Sequence, residues 1–226
     1  MTPYYQDDLV TIYHGDALDV LPDMRFVDLV VADPPYTFGL ASTKYESAAG
    51  SWGDLMNNAY WYAAWLREVR RVTRGSAWVF NTWRSFPVLA RAAFQAGWPI
   101  DSLLIWDKGA NGPGDMGRLR NTYEMVAQFS APDFAFIRGN RDIWTEPRIQ
   151  SATKDRQHPA EKPVPLFRRL IVETGATSLL DPFTGSGSAL VAAKDAGIRA
   201  IGIEIEERYC EIAANRCRQE VLGLSA

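Results

Sequence analysis

Two short segments hold residues whose types and spacing can do chemistry. The first is Asp33-Pro34-Pro35-Tyr36, directly behind the apolar run Val27 to Ala32. Two prolines fix φ and stiffen the turn, so the Asp33 carboxylate and the Pro34 carbonyl can be held as paired acceptors, with Tyr36 offering a flat face. That arrangement suits a planar amine. An exocyclic amine on a purine or pyrimidine is a poor nucleophile because its lone pair is delocalised into the ring. Two acceptors aimed at its N–H groups favour rehybridisation and stabilise the positive charge that develops as nitrogen attacks an electrophile. The bland alternative is a surface turn, which the position behind a buried strand disfavours.

The second segment is Leu179-Leu180-Asp181-Pro182-Phe183-Thr184-Gly185-Ser186-Gly187-Ser188, a strand running into a glycine turn and then a helix. Gly185 and Gly187 let the backbone come close to a ligand, and Ser188 suits a helix cap. Glu204 closes the next strand, nineteen positions after Gly185, about where an α/β nucleoside site places a carboxylate for ribose hydroxyls. Leu190 stands where a dinucleotide fingerprint has its third glycine, and no phosphate loop of the Gly-x-x-x-x-Gly-Lys kind occurs. A nucleoside without a pyrophosphate is the expected ligand. The loop alone is weak evidence, since a tight turn followed by a solvated glutamate would read the same way.

Both segments need elements to hold them. Strands are expected at Val10 to Tyr13, Val27 to Ala32, Ser76 to Phe80, Ile100 to Trp106, Ser178 to Leu180 and Ala200 to Ile203, each an apolar, often β-branched run. Helices are expected over 59–72, with Gly75 as a stop, and over 84–96, 163–173, 188–196 and 206–220. From Asp107 to Arg156 the pattern loosens into a glycine-rich loop, a strand over Thr122 to Phe129 and stretches without a period. Alternating strands and helices predict an α/β fold with a mostly parallel sheet and right-handed crossovers. In such a sheet ligands bind beyond the carboxyl ends of the strands, so the two segments share one crevice if their strands are neighbours.

At 226 residues the chain suits one domain carrying a modest insertion. Its 47% hydrophobic and 23% charged residues exclude disordered and fibrous classes. A net charge of −3 removes bulk electrostatics as a means of gripping nucleic acid, leaving a local patch as the alternative. Cys210 and Cys217 make neither a disulfide framework nor a metal cluster and are expected to lie on the last helix as small hydrophobic packing residues; no metal is expected. No run approaches the roughly 18 apolar residues that span a bilayer, and no leader pattern opens the chain, so a cytoplasmic protein without a membrane partner is expected.

Five segments in order resemble the S-adenosylmethionine-dependent DNA amino-methyltransferases, which act on adenine N6 or cytosine N4. They are Gly15-Asp16, Asp33-Pro34-Pro35-Tyr36, His158-Pro159-Ala160-Glu161-Lys162-Pro163, Asp181 to Gly187, and Gly202-Ile203-Glu204. The order, catalytic tetrapeptide first and cofactor loop last, is similar to the circularly permuted beta class. The resemblance implies a three-layer α/β/α, Rossmann-like sandwich with a mostly parallel seven-stranded sheet containing one antiparallel strand. Residues 1–106 and 157–226 would form the catalytic and cofactor-binding domain, with 107–156 inserted as a target-recognition region. By the same likeness Asp33, Pro34, Pro35 and Tyr36 would bind the target base. Asp16, Asp33, Lys162, Asp181, Phe183, Gly185, Gly187 and Glu204 would surround S-adenosylmethionine, with Glu204 on the ribose and Lys162 near the methionine end. His158 is a second-tier candidate, and His14 reads as structural.

The resemblance makes DNA the partner and extrusion of the base from the duplex a necessity. Within Lys108 to Arg156 eight basic residues face six acidic ones, and Arg118, Arg120, Arg138 and Arg141 are the expected DNA contacts, against the alternative of a solvated loop surface. At some fifty residues this region is short for the family, and Ser188 stands where a threonine is usual; a homodimer or a separate restriction or specificity partner would compensate for the shortness. Aspartate at the head of the tetrapeptide favours adenine N6, with cytosine N4 as runner-up. A non-catalytic nucleic-acid-binding module of the same fold is the alternative from another class, and a dehydrogenase is a distant third.

Overall fold

A computed structural model of the chain describes residues 1–35, 58–109, 119, 121–136, 141–148 and 161–219. Tyr36, Arg118, Arg120, Arg138 and His158 lie outside the described residues. The strands are β1 (Tyr5–Gln6), β2 (Val10–His14), β3 (Val27–Ala32), β4 (Thr73–Asn81), β5 (Ser102–Asp107), β6 (Tyr123–Ser130), β7 (Ile143–Thr145), β8 (Ser178–Asp181) and β9 (Arg199–Glu204). The helices are α1 (Ala17–Val20), α2 (Ala59–Val72), α3 (Phe86–Gln95), α4 (Val164–Thr174), α5 (Ser188–Asp195) and α6 (Glu207–Arg218).

The strands form one sheet in the order β1-β2-β9-β8-β3-β4-β6-β5-β7. From β2 to β5 these are seven, and only β6 runs antiparallel to its neighbours. The expected count of seven is exceeded by two short edge strands, β1 antiparallel to β2 and β7 parallel to β5. At two and three residues, β1 and β7 are too short to carry a periodic signal. The four-residue α1 fell below the same threshold.

Side-chain alternation along the central strands sets up three layers. On β3, Leu29 and Val31 face a core shared with Phe167 and Leu170 of α4, Ala189 and Ala193 of α5, and Cys210 and Ala213 of α6. Val30 and Ala32 face the opposite core, made with Tyr62, Trp65, Leu66 and Val69 of α2 and Leu89 of α3. Both cysteines are buried in the first core. Burial and the Glu204 charge push the Cys210 thiol up to about 12, and burial pushes Cys217 up to about 11.

Two expected boundaries move, each for a local reason. Gly75 does not stop α2: the helix ends at Val72, Thr73 turns extended, and β4 starts at once. Gly75 sits inside β4, where a Cβ would come within 2.3 Å of the Asp28 carbonyl oxygen, so it is a place where two backbones meet. Ser188 is not the cap of α5. Gly187 holds that position at φ +82°, and the Ser188 hydroxyl accepts instead from Arg216 at 3.3 Å. Within the segment 107–156, β6 and β7 are strands of the common sheet, with β6 filling the place between β4 and β5.

Candidate active site

β3 and β8 are hydrogen-bonded parallel neighbours, Leu29 opposite Leu179 and Val30 opposite Leu180. From β3 the chain crosses to β4 on one side, and from β8 it crosses to β9 on the other. The carboxyl ends of β3 and β8 therefore flank a topological switch point, where the turn beginning at Asp33 and the loop beginning at Asp181 open a shared crevice.

The Asp33 turn is fixed from two sides. The Tyr62 hydroxyl of α2 donates to the Pro35 carbonyl at 3.1 Å, and burial together with the Asp33 charge raises the Tyr62 pKa. From the other side Lys162 Nζ donates to Asp33 Oδ2 at 2.6 Å and lies 3.4 Å from Glu124 Oε2, with Lys108 Nζ 2.8 Å from Glu124 Oε1. Lys162 has only 6% of its side chain exposed. Burial alone would lower its pKa, but the Asp33 and Glu124 carboxylates outweigh that and raise it, so the ammonium stays charged. Asp33, Lys162, Glu124 and Lys108 thus alternate in sign across four separate chain segments. Lys162 and Asp33, both expected beside the cofactor, are in direct contact with each other.

The glycine loop is built by its own side chains. Asp181 Oδ1 accepts from the Phe183 N–H at 3.0 Å, the Thr184 hydroxyl donates to the Asp181 carbonyl at 3.0 Å, and the Thr184 N–H donates to the Ile203 carbonyl at 3.0 Å. Burial is the main cause that lifts the Asp181 pKa to about 8; the Asp33 and Glu204 charges add to it and the Phe183 N–H opposes it. Glu204 receives the Gly185 N–H on Oε2 at 2.8 Å and the Glu206 N–H on Oε1 at 2.9 Å, and burial raises its pKa despite these bonds. Each oxygen keeps a second lone pair for a ligand hydroxyl. The Gly15 N–H donates to the Glu204 carbonyl at 2.9 Å, which brings Asp16, the cap of α1, to the end of β9. His14 Nε2 lies 3.1 Å from the Ile205 carbonyl, a backbone contact.

The three glycines of this region have different reasons to be glycine. At Gly185, φ is +51° and a Cβ would meet nothing within 4 Å, so the loop borders open space of the kind a nucleoside could fill. At Gly187, φ is +82° and a Cβ would come to 2.8 Å from the Ala213 Cβ of α6, so this glycine serves helix packing. At Gly202 a Cβ would strike Thr184 Oγ1 at 2.4 Å and Leu190 Cδ1 at 2.7 Å. Phe183 packs edge-on to Trp65 with centroids 5.2 Å apart and lies 5.8 Å from Trp61, so α2 walls one side of the crevice.

Several of these residues escaped the sequence reading. Glu124 and Lys108 carry no motif. Tyr62 and Trp65 were legible only as the apolar stripe of a helix. Arg216 clamps the glycine loop by donating to the Ser186 carbonyl at 2.8 Å and by pairing with the buried Glu161 at 2.9 Å, yet in sequence it is one arginine of a charged helix. Of the four arginines expected on DNA, only Arg141 is described; it precedes β7 at the outer edge of the sheet, four strands from β3.

The α/β/α sandwich thus sets a proline-stiffened carboxylate turn and a glycine loop at one switch point, and comparison with known proteins makes the class specific. A model of the N6/N4 DNA methyltransferases, described as DNA methylase, matches residues 27–215, so the chain belongs to this family of S-adenosylmethionine-dependent enzymes. The Type II methyltransferase M.ScaI of Streptomyces caespitosus is 28% identical over 275 residues, covering 98% of this chain and 86% of that protein. M2.LlaDCHI of Lactococcus lactis subsp. cremoris is 25% identical and covers 95% and 91%. Among solved structures, the M1.HpyAVI–SAM complex superposes with a TM-score of 0.72 at 20% identity over 93% of this chain and all of that one. The cytosine-N4-specific PvuII DNA methyltransferase gives 0.75 at 17% identity over 98% and 90%. At such identities these two likenesses establish the fold.

Proposed function

We propose that this chain transfers a methyl group from S-adenosylmethionine to the exocyclic N6 of adenine in DNA, acting on a base turned out of the helix. The observation that carries this reading is the placement of the Asp33 turn and the Asp181–Gly187 loop on adjacent strand ends. S-adenosylmethionine would supply a sulfonium-bound methyl group as the electrophile: as the N–C bond forms the S–C bond breaks, the thioether S-adenosylhomocysteine leaves, and the methylated amine gives up one proton to solvent. Glu204, Phe183, Gly185 and Asp16 would hold its nucleoside, Asp181 would lie at the base of the loop, and Gly187 would keep that loop against α6. Asp33 and the Pro34 carbonyl would accept from the amino group as its nitrogen rehybridises, and Tyr36 would stack on the base. Lys162 holds one Asp33 oxygen, which sets the angle at which the carboxylate meets the amine. Aspartate rather than serine at the head of the tetrapeptide favours adenine over cytosine N4 within the family.

Extruding the base costs a few kcal/mol, offset by stacking and by contacts to the backbone. We assign those contacts to the region 107–156, with Arg118, Arg120, Arg138 and Arg141 facing phosphates or base edges in the cytoplasm, either in a homodimer or beside a specificity partner. Charge reversal at all four should weaken DNA binding and flatten its salt dependence. The deciding experiment is expression in a host lacking methylation, followed by digestion of its DNA and nucleoside mass spectrometry. N6-methyladenine is expected, and N4-methylcytosine would reassign the target. Asp33→Ala should reduce turnover by roughly a hundredfold or more. A fully active variant would remove the proposed mechanism, and an inactive wild-type protein would leave the non-catalytic module as the reading.

A further inference from the structure

The turn from Thr82 to Ser85 joins β4 to α3 at the same edge of the sheet as Asp33, because β4 runs parallel to β3 with Ala32 level with Val79. Its shape is fixed from below by Asn81, which is fully buried. Asn81 Oδ1 accepts from the Thr82 N–H at 2.8 Å and from the Ser85 hydroxyl. The Thr82 and Ser85 hydroxyls lie 3.0 Å apart, and the Phe86 N–H donates to the Thr82 carbonyl at 2.9 Å. A four-residue turn with this many bonds has little freedom.

Two side chains at its tip nevertheless face solvent. Trp83 is 54% exposed, whereas every other described tryptophan is buried or half-buried. The Arg84 guanidinium carbon sits 4.9 Å from the Trp83 ring centroid. An exposed indole forgoes the burial that usually places tryptophan inside a protein, and the rigid turn holds it outside beside the catalytic edge, where it can meet what the site binds. A flat π-face with a guanidinium stacked on it matches a nucleic-acid strand: the ring can stack on a base and the cation can neutralise a phosphate. Trp83 and Arg84 lie outside the segment 107–156 and are thus distinct from the arginines assigned there.

We propose that Trp83 and Arg84 are a DNA-binding element at the mouth of the active site, with the indole stacked on a base unstacked by extrusion of the target and Arg84 on a neighbouring phosphate. The inference rests on the reading of the site as a DNA methyltransferase. It is tested with the full chain and a fluorescent duplex carrying a sequence that the wild-type enzyme methylates. Trp83→Ala should weaken DNA binding about tenfold or more, and Trp83→Phe should recover most of the loss. Arg84→Ala should weaken binding and reduce the slope of log K against log salt by about one. Donor affinity, measured by calorimetry, should stay at the wild-type value in all three. Variants that bind and methylate DNA like an active wild type overturn this inference alone. A loss of donor affinity in parallel with DNA affinity would mark a structural role and also overturn it. A wild-type chain that neither binds nor methylates DNA removes the reading of the site together with the element.

Discussion

Asp181 shows how burial sets a proton at the site. Its pKa of about 8 means that it carries a proton at neutral pH in the folded chain, while in the unfolded chain it is ionised above the ordinary carboxylate range. Across the interval between those values the folded state binds more protons, so this group's contribution to stability falls as pH rises. Asp181→Asn keeps an oxygen for the Phe183 N–H and removes the titration. Urea denaturation between pH 5 and about 8 should therefore show wild-type stability declining with pH more steeply than that of the variant. Parallel slopes would mean that Asp181 is ionised in the folded protein. Lys162 is the converse case, a buried cation kept charged because Asp33 and Glu124 flank it.

At the level of elements, the glycine loop depends on α6 as much as on its own sequence. Gly187 combines a left-handed φ with a gap too narrow for a methyl group against Ala213, so Gly187→Ala carries both a backbone and an overpacking cost. The loss should be on the order of 2–4 kcal/mol, read from the urea midpoint. Gly185→Ala has only the backbone cost of about 1–2 kcal/mol, because a Cβ there points into open space. Its main effect should be weaker donor binding. If the two variants lost equal stability, the packing argument for Gly187 would fail. Arg216 acts on the same loop from α6, and through Glu161 it ties the chain at Glu161 and its neighbour Lys162 to the glycine loop.

On the scale of the molecule, the edge of the sheet beyond β2 is tied down by Asp7. Burial acts to raise the Asp7 pKa, but hydrogen bonds from Lys194 at 2.6 Å, the Val10 N–H, the Tyr5 hydroxyl and the Leu9 N–H hold it below the usual carboxylate range. Lys194 also donates to the Cys217 carbonyl, so the pair joins the β1–β2 turn to α5 and α6. A depressed carboxylate stabilises the fold above its unfolded-state pKa, and that stabilisation is lost as pH falls through the folded-state value. Asp7→Asn should thus be less stable than wild type at pH 7, with the difference shrinking in acid. A difference that is the same at both pH values would exclude the ion pair as its source.

Much of this protein was legible in its sequence. The runs Val27 to Ala32 and 59–72 gave a strand and a helix with those same bounds, since long apolar patterns of period 2 or 3.6 report burial directly. The chemistry-bearing turns were legible because proline and glycine restrict or free the backbone locally, whatever surrounds them. Residues whose meaning lies in a distant partner were not. Nothing near Glu124 in the chain announces that it faces Lys162, nothing near Gly75 announces the Asp28 carbonyl, and Trp83 stands out only once every other described tryptophan is seen to be buried or half-buried. The sequence by itself determined the alternation of elements and the two motifs, because these follow from local periodicity and backbone stereochemistry, and it carried the family as a resemblance in five ordered segments. The tertiary structure alone decided that β3 and β8 are neighbours, that Lys162 meets Asp33 and that Arg216 clamps the loop, because strand order and ion pairing join residues 30 to 150 positions apart through space.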